Sequence, residues 1–161
     1  MKNFILCLST LLILLSGLAN AGQYEDALLA HSKGDFAQAF KLLQPLAAQG
    51  NAKGQYNLGY MYEQGKAVTQ DYKQAFDWYG KAASQGLANA QYQLGHMYYK
   101  GQGVKQNYVR AYMWSNLAAA KGHNFALKLR ELVAAQMTQQ QIVEAKKLAR
   151  ECEQRNYKNC D

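Results

Sequence analysis

Proline occurs once in the 161 residues, at Pro45, so the chain carries a single built-in helix breaker. Cysteine is nearly as scarce, and Cys7, Cys152 and Cys160 all lie outside the middle of the chain. Three histidines are present, His31, His96 and His123, and neither His96 nor His123 has a histidine, cysteine or carboxylate beside it at ligand spacing. H-E-x-x-H, G-x-S-x-G and phosphate-loop patterns are absent. Gly101-Gln102-Gly103 follows no strand and is a poor phosphate cradle. The formal charge is +7, yet no basic run exceeds two residues, and acidic groups are interspersed throughout. A nucleic-acid binder needs a concentrated basic face, so that class is excluded. No catalytic constellation and no cofactor motif emerges, and the expectation is a protein that is not an enzyme.

What the chain does have is self-similarity. Residues 52–86 align without a gap on residues 88–122 at a shift of 36, and sixteen of the 35 positions are identical. A fixed period of this length signals stacked supersecondary units. Each unit reads as helix, loop, helix. Helix A, about residues 52–64, carries Leu58, Met61 and Tyr62 as an apolar stripe. Gly59 lies inside it and returns as Gly95, which points to close approach of helix A to helix B. Gly65 can end the helix left-handed, and Asp71 with Gln74 reads as a capping-box-like start for helix B. Helix B, about residues 72–85, carries Tyr72, Ala75, Phe76, Tyr79, Ala82 and Ala83 at helical spacing. Gly86 then stands at its C′ position, with Leu87 behind it for a Schellman end.

The pattern resembles the Sel-one-like repeat (SLR) family, a relative of the tetratricopeptide repeats. The residues that carry the resemblance are Leu58-Gly59-Tyr60-Met61-Tyr62, Gly65, Val68, Asp71, Ala75, Trp78-Tyr79, Lys81-Ala82-Ala83 and Gly86, and their returns at Leu94-Gly95-His96-Met97-Tyr98, Gly101 to Val104 and Trp114 to Gly122. Two positions depart from it. Ala67 replaces the second loop glycine, and Gly80 stands where the family usually has a basic residue and should weaken helix B locally. The repeats, with half-repeats at each end, predict an all-α right-handed solenoid of roughly seven helices. The resemblance implies a scaffold for protein–protein contacts in envelope or signalling assemblies. It also raises an alternative, the binding or hydrolysis of β-lactams or cell-wall fragments, found in members with a cysteine pair in each repeat. This chain has none in its repeats. A regulator of a peptidoglycan-processing enzyme is a further alternative.

Taken in order, the chain opens with Lys2, an apolar run over residues 4–15 and Ala19-Asn20-Ala21. This reads as a signal peptide, residues 1–21, cut after Ala21. The competing reading is a membrane anchor, but the run falls short of the about 20 residues a span needs. The expectation is therefore a periplasmic or secreted protein with no membrane span after cleavage, and one domain over residues 22–161. Within it, 22–50 is an irregular first repeat, 51–86 and 87–122 are regular repeats, and 123–161 is a C-terminal cap. Residues 35–50 match helix B of the next unit, and Pro45 should kink or split that helix after Leu43. A helix at about 125–136, with Leu129, Leu132 and Val133 on one face, precedes a closing helix capped by Thr138 and Gln141, whose stripe is Ile142, Ala145, Ala149 and Cys152. An exported chain with one remaining cysteine pair implies a Cys152–Cys160 disulfide, the alternative being two reactive thiols.

A partner surface follows from what the repeats do not share. Lys53, Tyr60, Glu63 and Gln64 of helix A become Asn89, His96, Tyr99 and Lys100 in the next copy. Positions 53, 60 and 64 return to nearly one side of a helix. By resemblance to the tetratricopeptide repeats that side lines the concave face. Side chains with aromatic bodies and polar tips suit recognition of a protein partner, and contact with peptidoglycan or another envelope polymer is a further expectation.

Overall fold

A computed structural model of the chain describes residues 21–160, and the proposed signal peptide lies outside the described residues except for Ala21. Eight helical segments, one more than expected, and no strand occur among them. They are α1 (residues 21–32), α2 (Phe36–Ala48), α3 (Ala52–Gln64), α4 (Tyr72–Ala83), α5 (Ala88–Lys100), α6 (Tyr108–Ala120), α7 (Asn124–Ala134) and α8 (Gln139–Gln154). Each helix from α2 to α6 packs on the next, α8 returns to α6, and α5 also touches α7. The molecule is thus an all-α solenoid in which odd-numbered helices form one layer and even-numbered helices the other.

The 36-residue period is enforced at the helix ends. Gly50, Gly86 and Gly122 have φ of 89°, 81° and 82°, a left-handed backbone that glycine adopts without a Cβ penalty. At each, the glycine N–H donates to the carbonyl three residues back, Ala47, Ala83 and Ala119. The next N–H donates five back, to Leu46, Ala82 and Ala118. These are Schellman pairs, and they turn the chain the same way at every joint. Helix starts are capped by Asp35, Asn51, Asp71, Asn107 and Thr138 side chains. Thr138 and Gln141 form the full reciprocal box, whereas Asp71 accepts from Lys73 and Gln74 N–H without a return bond.

The glycine inside each helix A marks a close contact with helix B of the same repeat. A Cβ on Gly59 would lie 2.8 Å from the Tyr79 ring, and one on Gly95 would lie 2.5 Å from Ser115 Oγ and 3.1 Å from its backbone N. The 2.8 and 2.5 Å separations are shorter than real Cβ contacts, so the α3–α4 and α5–α6 approaches favour glycine. Pro45 neither splits α2 nor ends it: the helix runs through to Ala48. Proline removes one hydrogen bond there, but Leu43, Leu46 and Ala47 around it are buried and hold the turn in place. Leu132 also departs from expectation. It is 49% exposed, while Leu129 and Val133 beside it are buried.

Burial is divided in two. A large cluster runs from Ala75 and Tyr79 through Leu94, Met97, Trp114 and Leu117 to Ala149 and Cys152. A small one joins Ala27, Ala30, Ala39, Leu43 and Met61 under α1 and α2. Cys152 and Cys160 form a disulfide with Cα atoms 5.1 Å apart. The loop it closes folds back over the even-numbered helices. Arg110 donates to the Cys160 carbonyl, and the Lys121 ammonium sits 3.8 Å from the Tyr157 ring centroid.

Candidate functional site

The layer of odd-numbered helices presents three successive polar and aromatic groups. At the N-terminal end, His31, Phe36 and Tyr60 face one another, with His31 5.2 Å from Phe36 and 6.1 Å from Tyr60 between ring centroids. The Lys66 ammonium covers the Phe36 and Tyr60 rings at 4.5 and 5.2 Å. Lys53 lies 5.9 Å over the Tyr24 ring, whose hydroxyl accepts from Asn57. These residues spend their recognition chemistry on each other.

In the middle, Glu63 is a structural acceptor. Tyr79 donates its hydroxyl to Glu63 Oε2 at 2.6 Å, and Gln93 donates to the same oxygen at 3.4 Å. Burial first, and the Glu63 charge second, raise the Tyr79 phenol far above its ordinary value, so it remains a donor. His96 is half-buried on the next helix. Burial lowers its imidazole below the ordinary value of 6.5, Glu63 opposes that shift and Lys100 adds to it.

At the C-terminal end the layer opens. Tyr92, His96, Tyr99 and Lys100 of α5 face Phe125, Lys128, Leu129 and Leu132 of α7 across a groove of about 340 Å³. The α5 residues recur at steps of three and four, as do those of α7, so each helix turns one stripe to the groove. Phe125 is 66% exposed. His123 sets this wall. Its Nδ1 accepts from the Ala126 N–H and so starts α7, while its ring stacks on Tyr92 with centroids 4.7 Å apart. No cluster of three or more histidine, cysteine, aspartate or glutamate residues is placed to hold a metal among the described residues.

Of the residues that the repeat comparison singled out, His96, Tyr99 and Lys100 therefore come together. Lys53 and Tyr60 belong to the N-terminal group, Glu63 to the middle, and Gln64 and Asn89 are exposed outside the groove lining. The α7 wall was not singled out, because residues after Gly122 leave the repeat alignment. A usable signal was the position of His123, one period after Leu87 and two after Asn51, in the slot that begins each odd-numbered helix. No helix among the described residues is long and apolar enough to cross a membrane.

Comparison with known proteins agrees with this architecture. The Sel1 repeat family model matches three times, over residues 17–51, 52–87 and 88–123. Comparison with curated proteins returned no match. Among solved structures, c5321, a protective antigen present in uropathogenic Escherichia coli strains that displays an SLR fold, is 31% identical with a TM-score of 0.80 over 86% of this chain. A Sel1 repeat protein from Oxalobacter formigenes is 33% identical with a TM-score of 0.66 over 70% of this chain. The chain accounts for 31% and 46% of the lengths of those two proteins, respectively. Sel1 repeats generally mediate protein–protein interaction. With the repeat matched three times in succession, and with its glycines and joints accounted for by packing, the chain belongs to the Sel1 repeat family.

Proposed function

We propose that this protein is an exported adaptor that binds a partner protein through the odd-numbered helices and helps assemble or regulate an envelope complex. The observation that carries this reading is the groove between α5 and α7. There Phe125 and Leu132 are exposed beside the rings of Tyr92 and Tyr99, an apolar surface without an intramolecular cover. Exposed aromatic and aliphatic side chains in a concavity are the usual anchors of a protein interface. The N-terminal and middle groups of the same layer are already paired internally and serve as its frame.

Export is supported by the leader-like first residues and by the Cys152–Cys160 disulfide, which belongs in an oxidising compartment. The test is site-specific photo-cross-linking in envelope preparations, with the cross-linker at Leu132 or Tyr99 and, as control, at Asp77 on α4. Adducts should form from the groove positions alone. They should vanish with Phe125→Ser, or with Tyr99→Ala and His96→Ala combined, at unchanged melting temperature. Equal adducts from Asp77, or retention of the protein on purified peptidoglycan in place of protein adducts, would sink the proposal. Mass spectrometry of the same material should find the N-terminus at Gly22.

A further inference from the structure

The groove is apolar along its length and positive at its edges. Lys100 stands on the α5 side and Lys128 on the α7 side, and no aspartate or glutamate lines the space between them. The one ion pair among the described residues joins Lys147 to Glu151 on α8, so neither groove lysine is neutralised by a carboxylate. Lys100 lies 5.2 Å over the Tyr99 ring, a contact that supplies no opposite charge. Glu63 is the acidic group nearest His96 in its electrostatic effect, and its Oε2 is taken by Tyr79 and Gln93. The groove therefore offers two unpaired cations on opposite walls of a hydrophobic floor.

We propose that the occupant of this groove is an acidic segment of a partner protein, one or two apolar side chains long and flanked by carboxylates that meet Lys100 and Lys128. The proposal rests on the adaptor reading and adds the chemistry of the partner. Three features argue for it. The volume holds a few side chains and no more. Phe125 and Leu132, seven residues apart on α7, place apolar contacts at both ends of the floor. An apolar peptide with no charge would leave both ammonium groups facing a desolvating ligand unpaired, whereas carboxylates at its ends complete them. A basic segment would meet like charge on both walls.

The test uses three synthetic peptides with one Phe-Leu core, flanked on each side by two aspartates, two asparagines or two lysines. Each is titrated into protein carrying labelled leucine methyl groups. The aspartate peptide should shift the Leu129 and Leu132 methyl resonances, bind at least tenfold more tightly than the asparagine peptide, and weaken as salt rises. The lysine peptide should not bind. In the double variant Lys100→Glu and Lys128→Glu the preference should invert, with the lysine peptide binding and the aspartate peptide excluded. If that variant does not fold, Lys100→Gln with Lys128→Gln should abolish the difference between the aspartate and asparagine peptides. Equal binding of the asparagine and aspartate peptides, an acidic preference that survives charge reversal, shifts confined to α1 and α2, or no shift with any peptide overturns the proposal. Self-association of the free protein through Leu132, detected by sedimentation, also overturns it by assigning the groove to a second copy. Photo-cross-linking through Leu132 that persists in the lysine variants would leave the adaptor reading standing while this one falls.

Discussion

The joint ahead of α3 and the joint ahead of α5 share one backbone and differ in the side chain that reaches back across them. In the first, Gln85 reaches back from the end of α4 and donates to the Gly50 carbonyl at 2.9 Å and to Gln55 Oε1 at 2.8 Å, while Gln55 donates to the Ala47 carbonyl. In the second, the residue one period later is Lys121. Its ammonium donates to the Gly86 carbonyl at 2.5 Å, Gln91 donates to the Ala83 carbonyl at 3.4 Å, and buried Gln91 Oε1 has no partner. A lysine has three donors but sends its charge outward, and here it lies against Tyr157 of the disulfide-closed loop. The comparison teaches that glycines and alanines set the period, while position 85 or 121 decides whether a joint closes on itself or holds another segment.

The two repeats can be set against each other at their loops. Ala67 and Gly103 occupy the same slot with φ of 65° and 69°. A Cβ on Gly103 would come 2.2 Å from the Tyr72 carbonyl oxygen, because the second loop rests on the start of α4. Gly103→Ala should therefore destabilise by about 2–3 kcal/mol in urea titration. Ala67→Gly, which relieves a left-handed alanine, should be neutral or stabilise by about 0.5 kcal/mol. Like signs for the two changes would break the contrast.

Gln85→Ala removes two hydrogen bonds and leaves Gln55 without a donor, at a cost of about 1.5 kcal/mol. Lys121→Gln supplies the missing donor to Gln91 and loses the contact with Tyr157, so its stability should stay within about 0.5 kcal/mol of the natural protein. A loss from Lys121→Gln as large as that from Gln85→Ala would show that the orphaned oxygen costs nothing.

Gly80 and Asn116 are also equivalent by the repeat. Asn116 accepts from Arg130 at 3.1 Å, whereas a Cβ on Gly80 would meet nothing within 4 Å. Gly80→Ala should raise stability by about 1 kcal/mol, read as a higher melting temperature. Destabilisation would mean that the second pair of helices uses flexibility at that point.

The smallest effect is at Tyr60 and His96, the same slot again. Burial lowers the folded-state value of His96 below 6.5, so the unfolded chain binds the proton more readily. Its contribution is intact above 6.5 and is lost as pH falls through the lower folded value. His96→Tyr, which copies the first repeat, should therefore flatten the fall in melting temperature on acidification. An unchanged profile would assign that fall to other groups.

Much of this could be read from residues alone. The period, the glycine ends at Gly50, Gly86 and Gly122, the close approach at Gly59 and Gly95, and the Thr138 box are local or periodic, and a single sequence displays both. The C-terminal wall of the groove was hidden for a matching reason. One period earlier Phe125, Lys128 and Leu132 fall on Asn89, Tyr92 and His96, and none of the three is identical, so the repeat pattern does not mark them. Whether Leu132 points to the core beside Leu129 or to the groove depends on the angle at which α7 meets α5. Variation between copies groups Glu63 with the groove residues, but that variation tracks its partner: Tyr79 becomes Ser115 where Glu63 becomes Tyr99. At Pro45 the expected alternative of a split does not occur, since the buried residues around it keep α2 continuous.

The division of burial has a consequence for how the molecule breathes. The cluster under α1 and α2 consists of three alanines, Leu43 and Met61, and only Met61 of it comes from α3. Tyr24, Phe36, Phe40 and Leu42 pack against it only partly buried, so lifting the first two helices exposes less surface than unfolding the rest. Amide protons of α2 should exchange through a partial opening whose free energy lies below the global value and falls gently with urea. Those of α5 and α6, under the large cluster, should exchange only with complete unfolding. A protein built this way can lose its first turn of solenoid and keep the α5–α7 groove assembled, with recognition at one end insulated from fraying at the other.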